Sequence, residues 1–157
     1  MKIDTCDPVH HTEEIKRVKK TALKDADAYD SEDEEPNYKE FECFLLCRVE
    51  EIIVGTVGFR QPKGDVVKNL EIRENVAEIK NMHVLPSHQR KGYATKLISK
   101  LERKVREQGY ERMVLRTTSV QEYAHRFYES NGYQELGRVD PSYKKIDYDL
   151  VFFGKNL

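Results

Sequence analysis

The feature that most constrains this chain is a short basic turn between a strand-like segment and a long amphipathic helix. Residues 89–94 read Gln-Arg-Lys-Gly-Tyr-Ala, and the apolar segment before them ends at Pro86. Apolar residues then recur at a spacing that predicts a helix with one buried face: Ala94, Leu97, Ile98, Leu101 and Val105. A turn that leads into a helix leaves several backbone N–H groups unpaired at the positive end of the helix dipole. The pattern therefore predicts a place where an anion can bind.

The composition of this turn suits a large anion such as a diphosphate. Gly92 and Ala94 are small enough to let a bulky group approach the amides, while Arg90 and Lys91 add positive charge. The turn lacks the three glycines of the dinucleotide-binding fingerprint and the Gly-Lys-Ser/Thr ending of a Walker loop. A nucleotide-binding protein of another fold is therefore disfavoured, whereas a turn that only caps the helix stays an alternative.

The whole chain, residues 1–157, is interpreted as a single domain in which strands come first and helices interleave later. Apolar runs at residues 41–49 and 52–59 are separated by two glutamates and predict a hairpin. The polar stretch 61–75 contains a proline and a glycine and is expected to be a mobile excursion between strands. This order of elements favours an α/β sandwich with a largely antiparallel, partly parallel sheet.

The strand before the turn changes phase along its length. Ala77 and Ile79 place apolar side chains at odd positions, whereas Met82 and Val84 place them at even positions. Because successive side chains of a strand point to opposite faces, a regular strand cannot bury both pairs on one face. An inserted residue, a β-bulge, would produce this slip and would free backbone groups nearby. The alternative is that the polar Asn81 simply faces solvent.

The strand, the turn and a later helix resemble the GNAT superfamily of acyl-CoA-dependent N-acyltransferases. Gln89, Gly92 and Ala94 fill the family pattern Gln/Arg-x-x-Gly-x-Gly/Ala, and residues 124–133 are similar to its late helix, which usually ends in Tyr and then Gly-Phe. The resemblance covers residues 54–137. It implies an α/β (α+β) GNAT-like fold, with a central mixed, mostly antiparallel twisted sheet of about six to seven strands and helices on both faces. In the family, a β-bulge in the fourth strand opens a slot for the pantetheine arm of the coenzyme.

The resemblance also implies residues that bind acetyl-CoA as a cosubstrate. The backbone amides of Met82, His83 and Val84 would hold the pantetheine arm. The turn and the first residues of the helix would bind the diphosphate: Gln89, Arg90, Lys91, Gly92, Tyr93, Ala94 and Thr95. Tyr128 would lie near the thioester. Gln121 stands where many members carry an asparagine that contacts the cofactor, and because glutamine is one methylene longer, this contact either persists or passes to water.

Catalytic roles follow from the same resemblance. Glu78 occupies the position of a catalytic glutamate in some members and would remove the proton of the amine; a surface or salt-bridged glutamate is the alternative. His83 is a reserve candidate for the base. The N–H of Met82, or of a near neighbour, would donate a hydrogen bond to the carbonyl oxygen of the tetrahedral intermediate. Tyr128 would protonate the leaving thiolate, unless it serves only in helix packing.

The function predicted from these residues is acetyl-CoA-dependent N-acetylation of a primary amine in a small molecule or a peptide. The alternative is a non-catalytic acyl-CoA-binding sensor or regulatory module. The presence of both Glu78 and Tyr128 favours the enzyme, because a protein that only binds the coenzyme needs neither. Seven of the eleven residues 25–35 are acidic, which indicates a cationic acceptor or merely a solvated loop.

Composition excludes several partners. The chain has 157 residues and a net charge of −1, which gives no reason to expect a nucleic-acid partner. No apolar run is long enough to span a bilayer, and a signal-peptide profile is missing at the N-terminus, so a membrane partner is not expected. Cys43 and Cys47 are interpreted as buried reduced thiols, which indicates a cytoplasmic location. The pair His10-His11 is interpreted as exposed, no metal site is predicted, and a homodimer is allowed.

Overall fold

The computed structural model describes residues 1–30, 35–141 and 147–157, and these residues form one seven-stranded sheet with four α-helices. The strands are β1 (Lys2–Thr5), β2 (Cys43–Val49), β3 (Ile52–Arg60), β4 (Val76–Val84), β5 (Arg112–Thr118), β6 (Gln134–Val139) and β7 (Leu150–Asn156). The helices are α1 (Thr12–Asp25), α2 (Asp65–Asn69), α3 (Tyr93–Glu107) and α4 (Glu122–Ser130).

The strands lie in the order β1-β2-β3-β4-β5-β7-β6. Every neighbouring pair is antiparallel except β4 and β5, which run parallel. A parallel pair needs a long crossover connection, and here α3 lies within that connection. The predicted mixed, mostly antiparallel sheet is therefore confirmed.

Helices cover both faces of the sheet. Tyr128 of α4 packs on Phe153 of β7, with ring centroids 5.9 Å apart, and α3 lies on the same face. The next residue of β7, Phe152, points the other way and shares a smaller apolar cluster with Val66 of α2. Helix α1 packs against β3 and β4 on this second face. The sheet is thus the middle layer of a three-layer arrangement.

The predicted hairpin is confirmed as β2 and β3. Glu50 and Glu51 form its turn with φ values of 51° and 68°, the left-handed conformation that two-residue hairpin turns require. Cys43 and Cys47 of β2 are buried free thiols. Burial raises the pKa of both thiols, so they stay protonated in the core.

The β-bulge in the fourth strand is confirmed. Thr56 of β3 pairs with His83, and the next pair is Gly58 with Lys80, so two residues of β4 oppose a single residue of β3. Asn81 lies in the bulge with a φ of 56°, and its carbonyl oxygen accepts a hydrogen bond of 2.6 Å from the Thr56 hydroxyl. Only 7% of Asn81 is exposed. The alternative that Asn81 faces solvent is therefore wrong.

Strands β4 and β5 pair over a short distance only. Their register contains three pairs: Val76 with Arg112, Ala77 with Met113, and Glu78 with Val114. Beyond residue 78 the two strands diverge, and among the described strands β4 keeps a paired neighbour on the β3 side alone. A gap therefore opens in the middle of the sheet, next to the bulge.

The connection 61–75 is more ordered than the sequence indicated. It contains α2, which begins at Asp65, and Val66 of this helix is fully buried. Asp65 accepts a 2.8 Å hydrogen bond from Arg116 of β5, which holds the short helix on the sheet. The polar composition of this stretch gave no indication of the burial of Val66 or of the ion pair between Asp65 and Arg116. Within the described ranges, no helix is long and apolar enough to cross a bilayer.

Candidate active site

A cavity of about 920 Å³ extends from the gap between β4 and β5 to the turn before α3. This volume lies within the range of small-molecule sites. The cavity brings together all of the predicted site residues except Lys91: Glu78, Met82, His83, Val84, Gln89, Arg90, Gly92, Tyr93, Ala94, Thr95, Gln121 and Tyr128. The sequence therefore identified one continuous surface.

The turn presents unpaired backbone donors to solvent. Gly92 has a φ of 81° and directly precedes α3, and a Cβ placed on it would meet no atom of the described residues within 4 Å. No side chain caps this end of the helix, and no acceptor in the described part of the chain bonds to the N–H groups of residues 92–95. The side chains of Arg90 and Lys91 are exposed beside them. This arrangement can bind an anion of the size of a phosphate.

Gln89 has a role that its place in the motif did not reveal. Its side-chain Nε2 donates a 2.9 Å hydrogen bond to the carbonyl oxygen of Val84, the last residue of β4. The side chain therefore fixes the turn to the end of the strand. It positions the backbone amides of the turn relative to the gap.

The free edge of β4 also offers backbone donors. The N–H of Leu85 bonds to the Val54 carbonyl of β3 at 2.8 Å. Because successive N–H groups of a strand point to opposite sides, the N–H of Val84 points into the gap and that of His83 points toward β3. The same alternation directs the N–H of Met82 into the gap. Two of the three predicted amides therefore face the space between the strands.

Glu78 is a buried carboxylate with one anchored oxygen. The residue is 2% exposed, and its Oε1 accepts hydrogen bonds of 3.1 Å from Arg60 Nε and 3.1 Å from the Lys63 backbone N–H. Glu78 is thus salt-bridged, as one interpretation of the sequence held, and it also lines the cavity. No contact with a described residue involves Oε2. This oxygen is left to accept a hydrogen bond from a molecule in the cavity.

Tyr128 is largely buried among aromatic rings, yet it lines the cavity. Its ring lies 5.6 Å from that of Tyr133 and 5.9 Å from that of Phe153. Burial raises the pKa of its phenol, so the hydroxyl keeps its proton at neutral pH. Within the described residues, no side chain or backbone group bonds to this hydroxyl. Tyr128 therefore packs in the core and can also donate a proton.

Gln121 lines the cavity through a side chain that is already engaged. Its Oε1 accepts hydrogen bonds from Thr118 Oγ1 at 2.8 Å and from Thr117 Oγ1 at 3.3 Å. The side chain thereby ties the start of α4 to the end of β5. The side-chain oxygen Oε1 of Gln121 is consequently not available to a bound molecule.

His83 and Lys80 are two titratable groups in the cavity wall. Burial lowers the pKa of His83 to about 3, and the charges of Lys19 and Lys80 lower it further in the same direction. The imidazole is therefore neutral and a weak base. Burial also lowers the pKa of Lys80 to about 8, with Arg116 adding to the shift and Glu78 opposing it.

Four cations meet on the α1 side of the cavity, and the sequence analysis missed this group. They come from four elements, α1, β3, β4 and β5, and we call them the basic wall: Lys19, Arg60, Lys80 and Arg116. Among the described residues that line the whole cavity, seven are Lys or Arg and three are Asp or Glu. One signal was present in the sequence, since Lys80 follows Glu78 by two positions and therefore shares its face of the strand.

Two acidic residues of the segment 25–35 lie at the cavity or contact its lining. Asp25 lines the cavity, and Glu35 accepts a 3.1 Å hydrogen bond from Lys19 Nζ. Residues 31–34, including three of the seven acids, lie outside the described residues. The cationic acceptor inferred from this segment stays a prediction.

Comparisons with known proteins agree with this geometry. A family model described as the acetyltransferase (GNAT) family matches residues 10–133. Human N-acetyltransferase 8 is 30% identical over 96 residues, which are 61% of this chain and 40% of that protein. The N-acetylaspartate synthetase of Xenopus tropicalis is 33% identical over 98 residues, which are 62% of this chain and 33% of that protein. The chain thus spans less than half the length of these curated relatives.

Solved structures share the fold. A GNAT-family acetyltransferase from Staphylococcus aureus Mu50 superposes with a TM-score of 0.77 at 22% identity, covering 99% of both chains. A Salmonella typhimurium protein that was solved with acetyl-CoA superposes with a TM-score of 0.74 at 20% identity, covering 100% of this chain and 94% of the other. The matched family model spans most of the chain, including β4, the turn and α4. The chain therefore belongs to the acetyltransferase (GNAT) family.

Proposed function

We propose that this chain transfers the acetyl group of acetyl-CoA to the nitrogen of a primary amine, by direct attack of the amine on the thioester. One observation carries the proposal: a gap between β4 and β5, edged by free backbone donors, opens into the same cavity as the unpaired amides of the turn. A long molecule with a diphosphate at one end and an amide-containing arm at the other fits these two features. Acetyl-CoA is such a molecule.

The coenzyme would be held by the turn and by β4. The amides of residues 92–95, with Arg90 and Lys91 beside them, would bind the diphosphate. The N–H of Val84 would pair with the pantetheine arm as a neighbouring strand would. Support comes from proteins of the same fold, since the Salmonella typhimurium structure contains acetyl-CoA and an aminoglycoside 6′-N-acetyltransferase, with a TM-score of 0.71, was solved with coenzyme A.

The amine must lose a proton before or during attack. An alkyl amine has a pKa near 10.4, so at pH 7 only about one molecule in a few thousand carries a free lone pair. Oε2 of Glu78 would accept this proton, directly or through a water molecule, while Arg60 holds Oε1 in place. The neutral amine then forms a C–N bond to the thioester carbon.

The tetrahedral intermediate places negative charge on the former carbonyl oxygen. The N–H of Met82, which points into the gap, would donate a hydrogen bond to that oxygen. When the C–S bond breaks, the sulfur leaves with the electron pair as a thiolate. The phenol of Tyr128 would protonate this thiolate, and the resulting phenolate would take up the second proton of the attacking nitrogen, directly or through water. The neutral thiol is a poor nucleophile for the reverse reaction.

Two measurements test the proposal. Acetyl-CoA at about a hundredfold over its dissociation constant should stabilise the protein by about 2.7 kcal/mol, which raises the melting temperature by several degrees. Pantetheine, which lacks the diphosphate, should give a much smaller rise. A screen of primary amines should then release coenzyme A from acetyl-CoA. No stabilisation by either acetyl-CoA or coenzyme A would overturn the proposal, and binding without turnover would support the non-catalytic module instead.

A further inference from the structure

The basic wall is not electrically balanced. Three of its four cations have carboxylate partners: Lys19 lies 3.1 Å from Glu35, Arg60 lies 3.1 Å from Glu78, and Arg116 lies 2.8 Å from Asp65. Lys80 has no hydrogen bond or ion pair with any described residue, and Glu78, the carboxylate that acts on its charge, is held by Arg60. The ammonium group of Lys80 thus faces the cavity without a partner.

An unpaired ammonium in a largely buried position costs folding free energy. The basic neighbours add to this cost, since the charges of Arg116, Arg60 and Lys19 all oppose the protonated form of Lys80. An anionic group in the cavity would pair with the ammonium group of Lys80 and remove this cost.

We propose that the acceptor amine carries a carboxylate group, as an α-amino acid does, and that Lys80 binds this carboxylate. The inference rests on the proposed function, because it names the acceptor class of that same site. Glu78 and Lys80 are two positions apart on β4, so their side chains leave the strand on the same side, roughly 7 Å apart at the backbone. One end of an amino acid would face Glu78, which takes the proton of its amine, and the other end would face Lys80.

The charge of the wall also disfavours other acceptors. A polyamine or a basic peptide would bring further positive charge toward Lys19, Lys80 and Arg116 and would be repelled. A neutral amine would leave the ammonium group of Lys80 unpaired. A carboxylate forms a charge-assisted hydrogen bond with an ammonium group, which is stronger than one between neutral groups. A carboxylate-bearing acceptor is thus favoured, because it pairs with Lys80 and removes the free-energy cost of an unpaired ammonium group.

The test compares each of several α-amino acids with its own carboxamide, using the full chain, saturating acetyl-CoA and thiol release as the readout. The carboxamide keeps the amine and the side chain but lacks the negative charge. Its amine is also less basic, so a preference for the acid cannot arise from a larger fraction of neutral amine. We expect kcat/KM for the best acid to exceed that for its carboxamide by about tenfold or more.

Variants of Lys80 test whether this residue causes the preference for the acid over its carboxamide. Lys80→Met should reduce the acid-to-carboxamide ratio of kcat/KM to about one, whereas Lys80→Arg should keep most of it, because the positive charge is retained. Lys39→Met is the matched control, since Lys39 is exposed and lies outside the cavity lining. This control should leave the ratio unchanged. Melting curves of each variant show whether it is folded, and Lys80→Gln replaces Lys80→Met if the latter is not.

The outcomes separate this inference from the proposed function. Preference for carboxamides or polyamines, an unchanged ratio in folded Lys80→Met, or acetyl-CoA binding without acetylation of any carboxylate-bearing amine would overturn the inference and leave the coenzyme site intact. Absence of stabilisation by acetyl-CoA and coenzyme A would instead overturn the proposed function itself.

Discussion

The two ends of the cavity are built in opposite ways. The turn end is a single stretch of chain, residues 89–95, and it works mainly through backbone amides. The opposite end is the basic wall together with Glu78, and it takes charged side chains from four separate elements. The first end is determined by local conformation, whereas the second exists only after the sheet and α1 have come together. We therefore expect changes at the turn to affect coenzyme affinity and changes at the wall to affect chemistry and acceptor choice.

The largest expected effect is that of Glu78→Gln. Loss of the base should lower kcat/KM about 100- to 10,000-fold and should remove the rise of the rate with pH at the acid end of the profile. Acetyl-CoA affinity, measured by calorimetry, should change less than about twofold, because the carboxylate lies away from the turn. The variant also leaves Arg60 without its partner, so a melting curve is the necessary control. An equal loss of coenzyme affinity would show that the two ends are not independent.

Tyr128→Phe should have the next largest effect. It removes the phenolic proton and keeps the ring that packs on Phe153, so turnover should fall about a hundredfold with coenzyme affinity nearly intact. Steady-state kinetics and calorimetry measure the two quantities. Unchanged turnover would remove the acid role and leave Tyr128 as a packing residue.

Lys80→Met should stabilise the protein. The pKa of Lys80 is lowered from 10.5 to about 8 on folding, so below pH 8 the charge is present in both states and the folded state bears its full cost. Part of the side chain faces the cavity, and we expect a gain of about 2 kcal/mol at pH 7, or several degrees in melting temperature. Between pH 8 and 10.5 the unfolded chain holds a proton that the folded chain has lost, so the wild type becomes more stable and the difference should disappear.

The pH dependence of the stability difference between Lys80→Met and the wild type is the decisive control. A gain that persists undiminished above pH 10.5 would show that better packing, rather than removal of a charge, stabilises the variant. Stability against urea at several pH values measures it directly. A difference that disappears above pH 10.5 would show that the charge of Lys80 in the basic wall lowers the stability of the folded protein.

The smallest expected effect distinguishes the turn from an ordinary helix end. Gly92 and Gly109 flank α3, both have a positive φ, and a Cβ on either would meet nothing within 4 Å. Gly92→Ala and Gly109→Ala should therefore cost a similar amount of stability, about 1 kcal/mol each. Only Gly92→Ala should weaken acetyl-CoA binding, by about tenfold, because only this methyl group lies where the diphosphate would approach. Equal affinities would place the diphosphate elsewhere.

The difference between the two ends also explains what the sequence could predict. The turn was found because its signal, a glycine before an amphipathic run, lies within a few consecutive residues. The bulge was found because a phase slip between Ile79 and Met82 is visible in the strand itself. Both features depend on neighbours in the chain, and both can be identified without knowledge of the fold.

The basic wall and α2 could not be found in this way. The ion pair between Arg60 and Glu78 joins residues 18 positions apart, and that between Asp65 and Arg116 joins residues 51 apart. Such contacts follow from strand register, which a single sequence does not specify. Gln89 was assigned to the coenzyme, yet its side chain holds the end of β4, because a motif position does not show which way a side chain points.

The divergence of β4 from β5 bears on the rigidity of the molecule. Within the sheet, three pairs of described residues connect the four strands β1 to β4 with the three strands β5 to β7. The sheet therefore consists of two parts joined by a short parallel pairing. An extended molecule hydrogen-bonded to both parts would hold them together more rigidly. Amide hydrogens of β4 beyond residue 78 should exchange faster than those before it, and occupation of the gap should slow them. Saturation with coenzyme and stiffness of the sheet would then rise together.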